Sequence, residues 1–539
     1  MAARVDEQLD VIVVGAGLSG IGAACRLRER CPWASVAVLE ARERTGGTWD
    51  LFRYPGVRSD SDMHTLGYPF EPWRGAEAFA DGGVILAYLR QTARRHGVEG
   101  WVRTGHRVIA ARWSSSAGRW TVSVRRSDGE EVALSCRFLM LCCGYYRYDR
   151  GHEPPFEGAE RFRGPVVHPQ RWPAELDWAG RRVAVIGSGA TAVTLVPALA
   201  RAAAHVTMVQ RSPSWVMSVP STDPLAEWVA RRLRGRAHGV LRARNTALMT
   251  GLYQLSRRRP AAVSRLLLAD ARRRLPPGYP VHLHFWPRYA PWDQRMCFVP
   301  DGDLFEAIAS SRASVVTDCV RGFTERGVEL GCGRELEADL VVTATGLELL
   351  ALGGISLTVD AEPVALPERL VYRGMMLSGV PNLSISLGYI NASWTLRSDL
   401  TALHVCRLLD KMRLRRAGHC VPVVGGAQVQ RRPLMELTSG YVRRSVHELP
   451  AQGASAPWRM RQNPILDALS LRLGRVDDGT LRFMPPATAS PVASRPPNRW
   501  PQALPPAIWR PAELLRAAAW RTPAAARVPY GVPNSARPA

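Results

Sequence analysis

Two apolar runs in this chain each break into a glycine-rich turn, and that repetition limits the possible folds more than any other feature. Gly15-Ala16-Gly17-Leu18-Ser19-Gly20 follows Asp10 to Val14, and Gly187-Ser188-Gly189-Ala190-Thr191-Ala192 follows Arg182 to Ile186. A buried strand that turns through such a loop into a helix opens a dinucleotide-binding βαβ unit. The first two glycines allow a tight turn and close approach of backbone to a pyrophosphate, and the third lets the helix pack on its strand. Two such units predict an α/β protein with two Rossmann-like dinucleotide-binding domains, in which one nucleotide cofactor delivers electrons to the other.

The neighbouring sequence supports both units. The first reads as strand Val11–Val14, helix Ile21–Arg30 and strand Ser35–Leu39, ending in Glu40, whose carboxylate can accept from ribose hydroxyls. The second reads as strand Val183–Ile186, helix Ala192–Arg201 and strand Val206–Val209, ending in Gln210-Arg211-Ser212. An arginine beside a hydroxyl attracts the 2′-phosphate that a carboxylate would repel, so this unit is expected to take NADPH. Further strands are expected at Val102–Trp113, Trp120–Arg125, Phe138–Cys142, Ser314–Val316 and Leu340–Thr343, the last ending in Ala344-Thr345-Gly346. The expected division is residues 1–150 and 336–484 for the first domain and 151–335 for the second, with a helical insertion at about 220–274. Thirteen prolines in residues 485–539 predict a disordered tail.

The formal charge of +24 raises the question of nucleic acid. Lys411 is the single lysine among 71 basic residues, and the arginines are scattered without aromatic interleaving, so nucleic-acid binding is not expected. No leader and no membrane-spanning apolar run is read, so the chain is expected in the cytoplasm. The arginine-rich insertion is expected to be a solvated helical subdomain, with peripheral contact to an anionic membrane as the alternative. The ten cysteines show no CxxC pair, which excludes a disulfide reductase and leaves buried free thiols. His282-Leu283-His284 has metal-pair spacing for a strand but no third ligand, so no metal site is expected.

Between the two loops runs Phe162-Arg163-Gly164-Pro165-Val166-Val167-His168-Pro169-Gln170-Arg171-Trp172-Pro173, of the form FxGxxxHxxxW[PD]. With Gly46-Gly47-Thr48-Trp49-Asp50-Leu51-Phe52, Ser59-Asp60-Ser61-Asp62, Trp292-Asp293-Gln294-Arg295 and Asn391-Ala392-Ser393-Trp394-Thr395, it resembles the flavin-dependent Baeyer–Villiger monooxygenases. More narrowly it is similar to the mycobacterial ethionamide-activating subgroup, over about Asp10 to Phe483. The resemblance implies FAD at the first loop and NADPH at the second. It puts Gly15, Gly17, Ser19, Gly20, Glu40, Gly47, Thr48, Trp49, Asp50, Leu51, Asp60 and the backbone of Val108 against the flavin nucleotide. Arg58, Ser59 and Asp60 fall beside the nicotinamide, Gly187, Ser188, Gly189, Ala190, Thr191, Ala192 and Val193 on the NADPH pyrophosphate, and Arg211 and Ser212 on its 2′-phosphate.

The implied activity converts ketones to esters or lactones with NADPH and O2, through a C4a-peroxyflavin stabilised by Arg295, with Asp60 orienting that arginine. Thioethers or thioamides are further expected substrates. The alternative is a flavin N- or S-oxygenating enzyme, which needs no such cation. Gln294 stands where many relatives carry lysine, so selection of NADPH rests more heavily on Arg211. Phe162, Gly164, His168 and Trp172 are expected to form a conformational relay between domains, with His168 outside the reacting groups. Tyr145, Tyr146 and Trp394 read as packing or pocket wall. The sequence leaves the physiological substrate and the oligomeric state open.

Overall fold

Val11, Ile12 and Val13 form a β-branched run that cannot keep one face in water, and all three are completely buried in the strand Glu7–Val14. This strand pairs in parallel with Val36–Leu39 on one side and Glu131–Leu141 on the other. The computed structural model describes residues 5–75, 77–223, 225–233, 236–426 and 428–486. The tail expected to be disordered, residues 485–539, lies outside them apart from Pro485 and Pro486.

Glu131–Leu141 joins two kinds of sheet. One edge continues the parallel Rossmann sheet, while the other pairs antiparallel with Arg119–Arg126, which in turn pairs antiparallel with His106–Ser114. Trp120, Val122 and Val124 alternate inward along the middle strand, the period of two expected of a sheet with one buried face. The helix Leu18–Arg30 covers the parallel part and ends in Arg28 and Arg30, where cations oppose the negative end of the helix dipole. It is packed by Trp394–Leu414, so the last third of the chain returns to the first domain. Arg26 Nε, buried in that contact, donates to Asp399 Oδ1 at 2.7 Å.

The second sheet has five parallel strands, in the order Ala313–Thr317, His205–Gln210, Arg182–Ile186, Leu340–Thr343, Val166–Val167. This moves the expected boundary at 335/336. Leu340–Thr343 belongs to the second sheet, pairing with Arg182–Ile186 and Val166–Val167, so the return to the first domain comes only after Thr343. The two crossing segments, Tyr146–Gly151 and Leu347–Leu349, pair antiparallel with each other. The insertion is helical, as Ala226–Leu233, Ala237–Arg258 and Pro260–Arg274. His282 and His284 lie on the short helix Val281–Phe285 rather than on a strand, and no group of three metal-ligating side chains occurs among the described residues.

Candidate active site

A cavity of about 1240 Å³ runs between the two sheets, larger than the roughly 300–1,000 Å³ typical of one small-molecule pocket. Both glycine loops line it. Gly15 has φ +100°, and a Cβ there would meet the Cys142 carbonyl oxygen at 2.6 Å. A Cβ on Gly20 would lie 1.7 Å from the Gly15 oxygen, so the third glycine sets the helix against its own loop and stays out of the cavity wall. Gly17 and Gly47 face each other, and a Cβ on Gly47 would stand 3.0 Å from the Gly17 Cα. The helices Leu18–Arg30 and Ala190–Leu199 both begin at glycines with no side-chain cap, which leaves their first N–H groups for an anion. This backbone cradle fits two pyrophosphates.

Glu40 closes the first unit as expected. Its Oε2 accepts from Ala16 N at 2.8 Å and its Oε1 from Arg42 N at 3.0 Å, and burial pushes its carboxyl above the usual range despite those donors. Ser19 Oγ accepts from Trp394 Nε1 at 2.8 Å, and Thr48 Oγ1 lies 3.2 Å from Tyr148 Oη. Trp49, Leu51 and Val108 also line the cavity. Asp50, expected against the flavin, does not. Its carboxylate is fully buried away from the cavity among Arg42, Arg53 and Arg90 at 2.8–3.0 Å, with Arg44 at 3.6 Å. It is a charge centre that holds the Gly46–Arg53 turn in place.

In the second unit Gly187, Ser188, Gly189, Ala190, Thr191 and Val193 line the cavity, whereas Ala192 is buried in the domain core. Ser188 Oγ donates to the Ser212 carbonyl at 2.9 Å. Arg211 and Ser212 are exposed at the cavity edge, and Arg211 forms no ion pair among the described residues.

The segment after the first loop brings three different environments together. Arg58 reaches the cavity, but its guanidinium is forked onto Asp303, with contacts of 2.5 and 3.2 Å. Ser59 is buried, and its Oγ has no hydrogen-bond partner among the described residues although it lines the cavity. Asp60 Oδ2 lies 3.3 Å from Arg295 Nη2. The Asp60 charge raises the Arg295 pKa well above its ordinary value, against the opposing effect of burial.

Arg295 follows a strained turn. Trp292 has φ +71°, rare for a bulky side chain, and is fixed by edge contact with Tyr253 at 5.7 Å. The carbonyl of Asp293 accepts from Thr438 N at 2.8 Å, which ties this turn to the segment carrying Tyr441. Tyr145, Tyr146 and Tyr441 wall the cavity around Arg295, Trp394 packs on Tyr145 at 5.1 Å, and burial pushes the Tyr146 phenol up to about 12. The Tyr441 hydroxyl is buried without a partner among the described residues. The sequence gives no signal for Tyr441, which lies in no motif.

The expected relay lies outside the cavity, at the crossing between domains. His168 Nδ1 accepts from Gln170 N at 3.2 Å, and Nε2 donates to the Gly346 carbonyl at 3.1 Å. That pair of bonds requires the neutral ring, and burial lowers its pKa in the same direction. A Cβ on Gly151 would fall 2.0 Å from this imidazole, and one on Gly164 2.5 Å from the Asp339 carbonyl oxygen. Phe162 packs edge-on to Phe323 at 6.1 Å and Trp172 edge-on to Trp178 at 5.8 Å.

Residues 68–240 match the sequence family described as flavin-binding monooxygenase-like, and residues 13–80 match that of NAD(P)-binding Rossmann-like domains. The chain is 50% identical over 479 residues to the FAD-containing monooxygenase EthA of Mycobacterium tuberculosis, spanning 88% of this chain and 98% of that one. It is 48% identical over 479 residues to EthA of Mycolicibacterium smegmatis, spanning 88% and 97%. Oxidized steroid monooxygenase bound to NADP shares the fold, with a TM-score of 0.69 at 22% identity over 89% of this chain and 100% of that one.

Proposed function

This chain belongs to the FAD-containing monooxygenases, and from that premise we propose that it carries out Baeyer–Villiger oxidation of a small apolar ketone. The balanced reaction takes ketone, O2, NADPH and a proton to ester or lactone, NADP+ and water. FAD supplies hydride acceptance from NADPH and the activation of O2. The Arg295–Asp60 contact in the cavity between the two nucleotide cradles carries this reading.

Oxygen insertion beside a carbonyl develops negative charge on oxygen. A guanidinium that cannot lose its proton stabilises that charge across the working pH range. Asp60 orients Arg295, and the Tyr145 and Tyr146 rings wall the cavity beside it. The orphaned hydroxyls of Ser59 and Tyr441 supply two donors for groups bound in the cavity. Glu40 holds the FAD ribose, and Arg211 with Ser212 the 2′-phosphate of NADPH. Phe162, Gly164, His168 and Trp172 couple the movement of the two domains. Thioethers or thioamides are the secondary substrates of this reading. No helix of the described residues is long and apolar enough to cross a membrane.

The test is turnover of the purified holoenzyme with NADPH and isotopically labelled dioxygen. One labelled oxygen in an ester, with one NADPH consumed per ester, supports the reading. An unreacted ketone panel alongside a thioether converted to sulfoxide would replace it with heteroatom oxygenation.

A further inference from the structure

The helix Ala237–Arg258 presents an unusual face to solvent. From Gly239 to Leu255 its exposed positions are Gly239, Val240, Ala243, Ala247, Leu248, Gly251 and Leu255, and none is polar or charged. At 100° per residue they occupy one half of the helix circumference, over about 24 Å of its length. Leu248 is 62% exposed and Leu255 46%. The helix Pro464–Leu473 touches this one and leaves Leu466, Leu469 and Leu473 exposed on its own surface. On an ordinary solvated helix this face would carry charge.

The rim of the face is cationic. Exposed Arg232 and Arg236 precede the helix, and exposed Arg257, Arg258 and Arg259 end it. Trp228 is 58% exposed, and the Arg232 guanidinium lies over its ring at 5.5 Å. Residues 225–274 hold thirteen arginines against two acidic residues, Glu227 and Asp270.

We propose that this face is a docking surface for an anionic lipid bilayer, with the helix lying along the plane of the membrane. The uncharged centre suits the boundary between headgroups and acyl chains, and the arginines at both ends meet lipid phosphates. Trp228 is of the residue type that settles at such an interface. Charge argues against the competing occupants. A second copy of the chain would bring a like-charged rim against this one. Residues 487–539 of the same chain carry seven arginines and one acid, so they too are repelled. Nucleic acid would match the rim but not the apolar centre.

Vesicle flotation of the full-length holoenzyme tests the proposal. Phosphatidylglycerol-containing vesicles should carry the protein upward, and pure phosphatidylcholine vesicles should not. Raised salt should weaken the association without abolishing it, since only the rim is screened. Leu248→Gln with Leu255→Gln should lower the partition coefficient about tenfold or more, because both leucines leave the acyl boundary. The double variant should keep its FAD and its NADPH oxidation rate, which separates lost docking from misfolding. Absence of flotation with anionic vesicles would overturn the proposal. So would flotation unchanged in the double variant, which would indicate electrostatic adsorption alone. Self-association that the double variant abolishes, without vesicle binding, would assign the face to a second copy instead.

Discussion

Arg295 and Asp60 meet across 3.3 Å, one delivered by a turn of the second domain and the other by the segment that leaves the first nucleotide cradle. The contact therefore exists only when the two domains are correctly set against each other. Arg295→Ala should keep bound FAD and the capacity to oxidise NADPH, while ester formation falls by about 10²–10³. Asp60→Asn should give a smaller loss, because the cation remains but its plane is no longer fixed. Product analysis alongside NADPH consumption distinguishes these outcomes; ester formation unchanged in Arg295→Ala would remove the residue from the chemistry.

Nicotinamide selectivity should follow Arg211. It is exposed at the cavity edge and bound to no carboxylate among the described residues, so its removal leaves no orphaned charge. Arg211→Ala should raise KM for NADPH by about tenfold or more, equivalent to roughly 1.5–3 kcal/mol for a charged hydrogen bond, and leave NADH kinetics nearly unchanged. An equal rise for both nucleotides would assign Arg211 a structural role.

Flavin retention should depend on the third glycine as strongly as on the first. Because a Cβ on Gly20 would overlap the Gly15 carbonyl, Gly20→Ala must displace either the helix or the loop. The variant should purify colourless or bind FAD at least tenfold more weakly, as read by flavin absorbance after desalting. Full flavin content would show that the helix can shift without disturbing the cradle.

Acid sensitivity should come partly from His404, which is buried on Trp394–Leu414 with Nε2 unpartnered among the described residues. Burial first, then the nearby Arg373 charge, lowers its pKa from 6.5 to about 4. The unfolded chain thus takes up the proton first. Stability is unaffected by this group above pH 6.5, and falls as the pH drops from 6.5 towards 4, by roughly 3 kcal/mol at most. Denaturant midpoints across that interval should decline less steeply for His404→Gln than for the parent chain.

Tyr441→Phe offers a milder test of the cavity wall. Its hydroxyl is buried without a partner among the described residues, so losing it should leave thermal stability within about 0.5 kcal/mol of the parent. If the hydroxyl contacts bound ketone, KM should rise severalfold with little change in the NADPH oxidation rate measured without substrate. An unaltered KM would make Tyr441 wall only.

Much of the site was legible because backbone geometry dictates residue type locally. Gly15, Gly17 and Gly20 recur at fixed spacing since a Cβ at the first or third would strike neighbouring backbone, and the strand after them, Val36–Leu39, ends where Glu40 can accept from Ala16 N. The strand Leu340–Thr343 was legible as a strand, with the expected limits. Its sheet was not, because a parallel strand draws its neighbours from distant segments, here Val166–Val167 and Arg182–Ile186. Asp50 and Arg58 show the same division for side chains. Both lie in a motif that points to cofactors, yet Asp50 turns inward to a cluster of arginines and Arg58 is taken up by Asp303.

The sequence by itself determined two nucleotide cradles and the acid and the arginine that end their second strands, since each imposes its own short-range pattern on the chain; the flavin was what a family resemblance implied. Tertiary structure alone decided which side chains face the cavity, how Arg295 reaches Asp60, and that Ala237–Arg258 shows an uncharged face to solvent. Side-chain direction and exposure depend on what packs from elsewhere in the chain, and no local spacing records that.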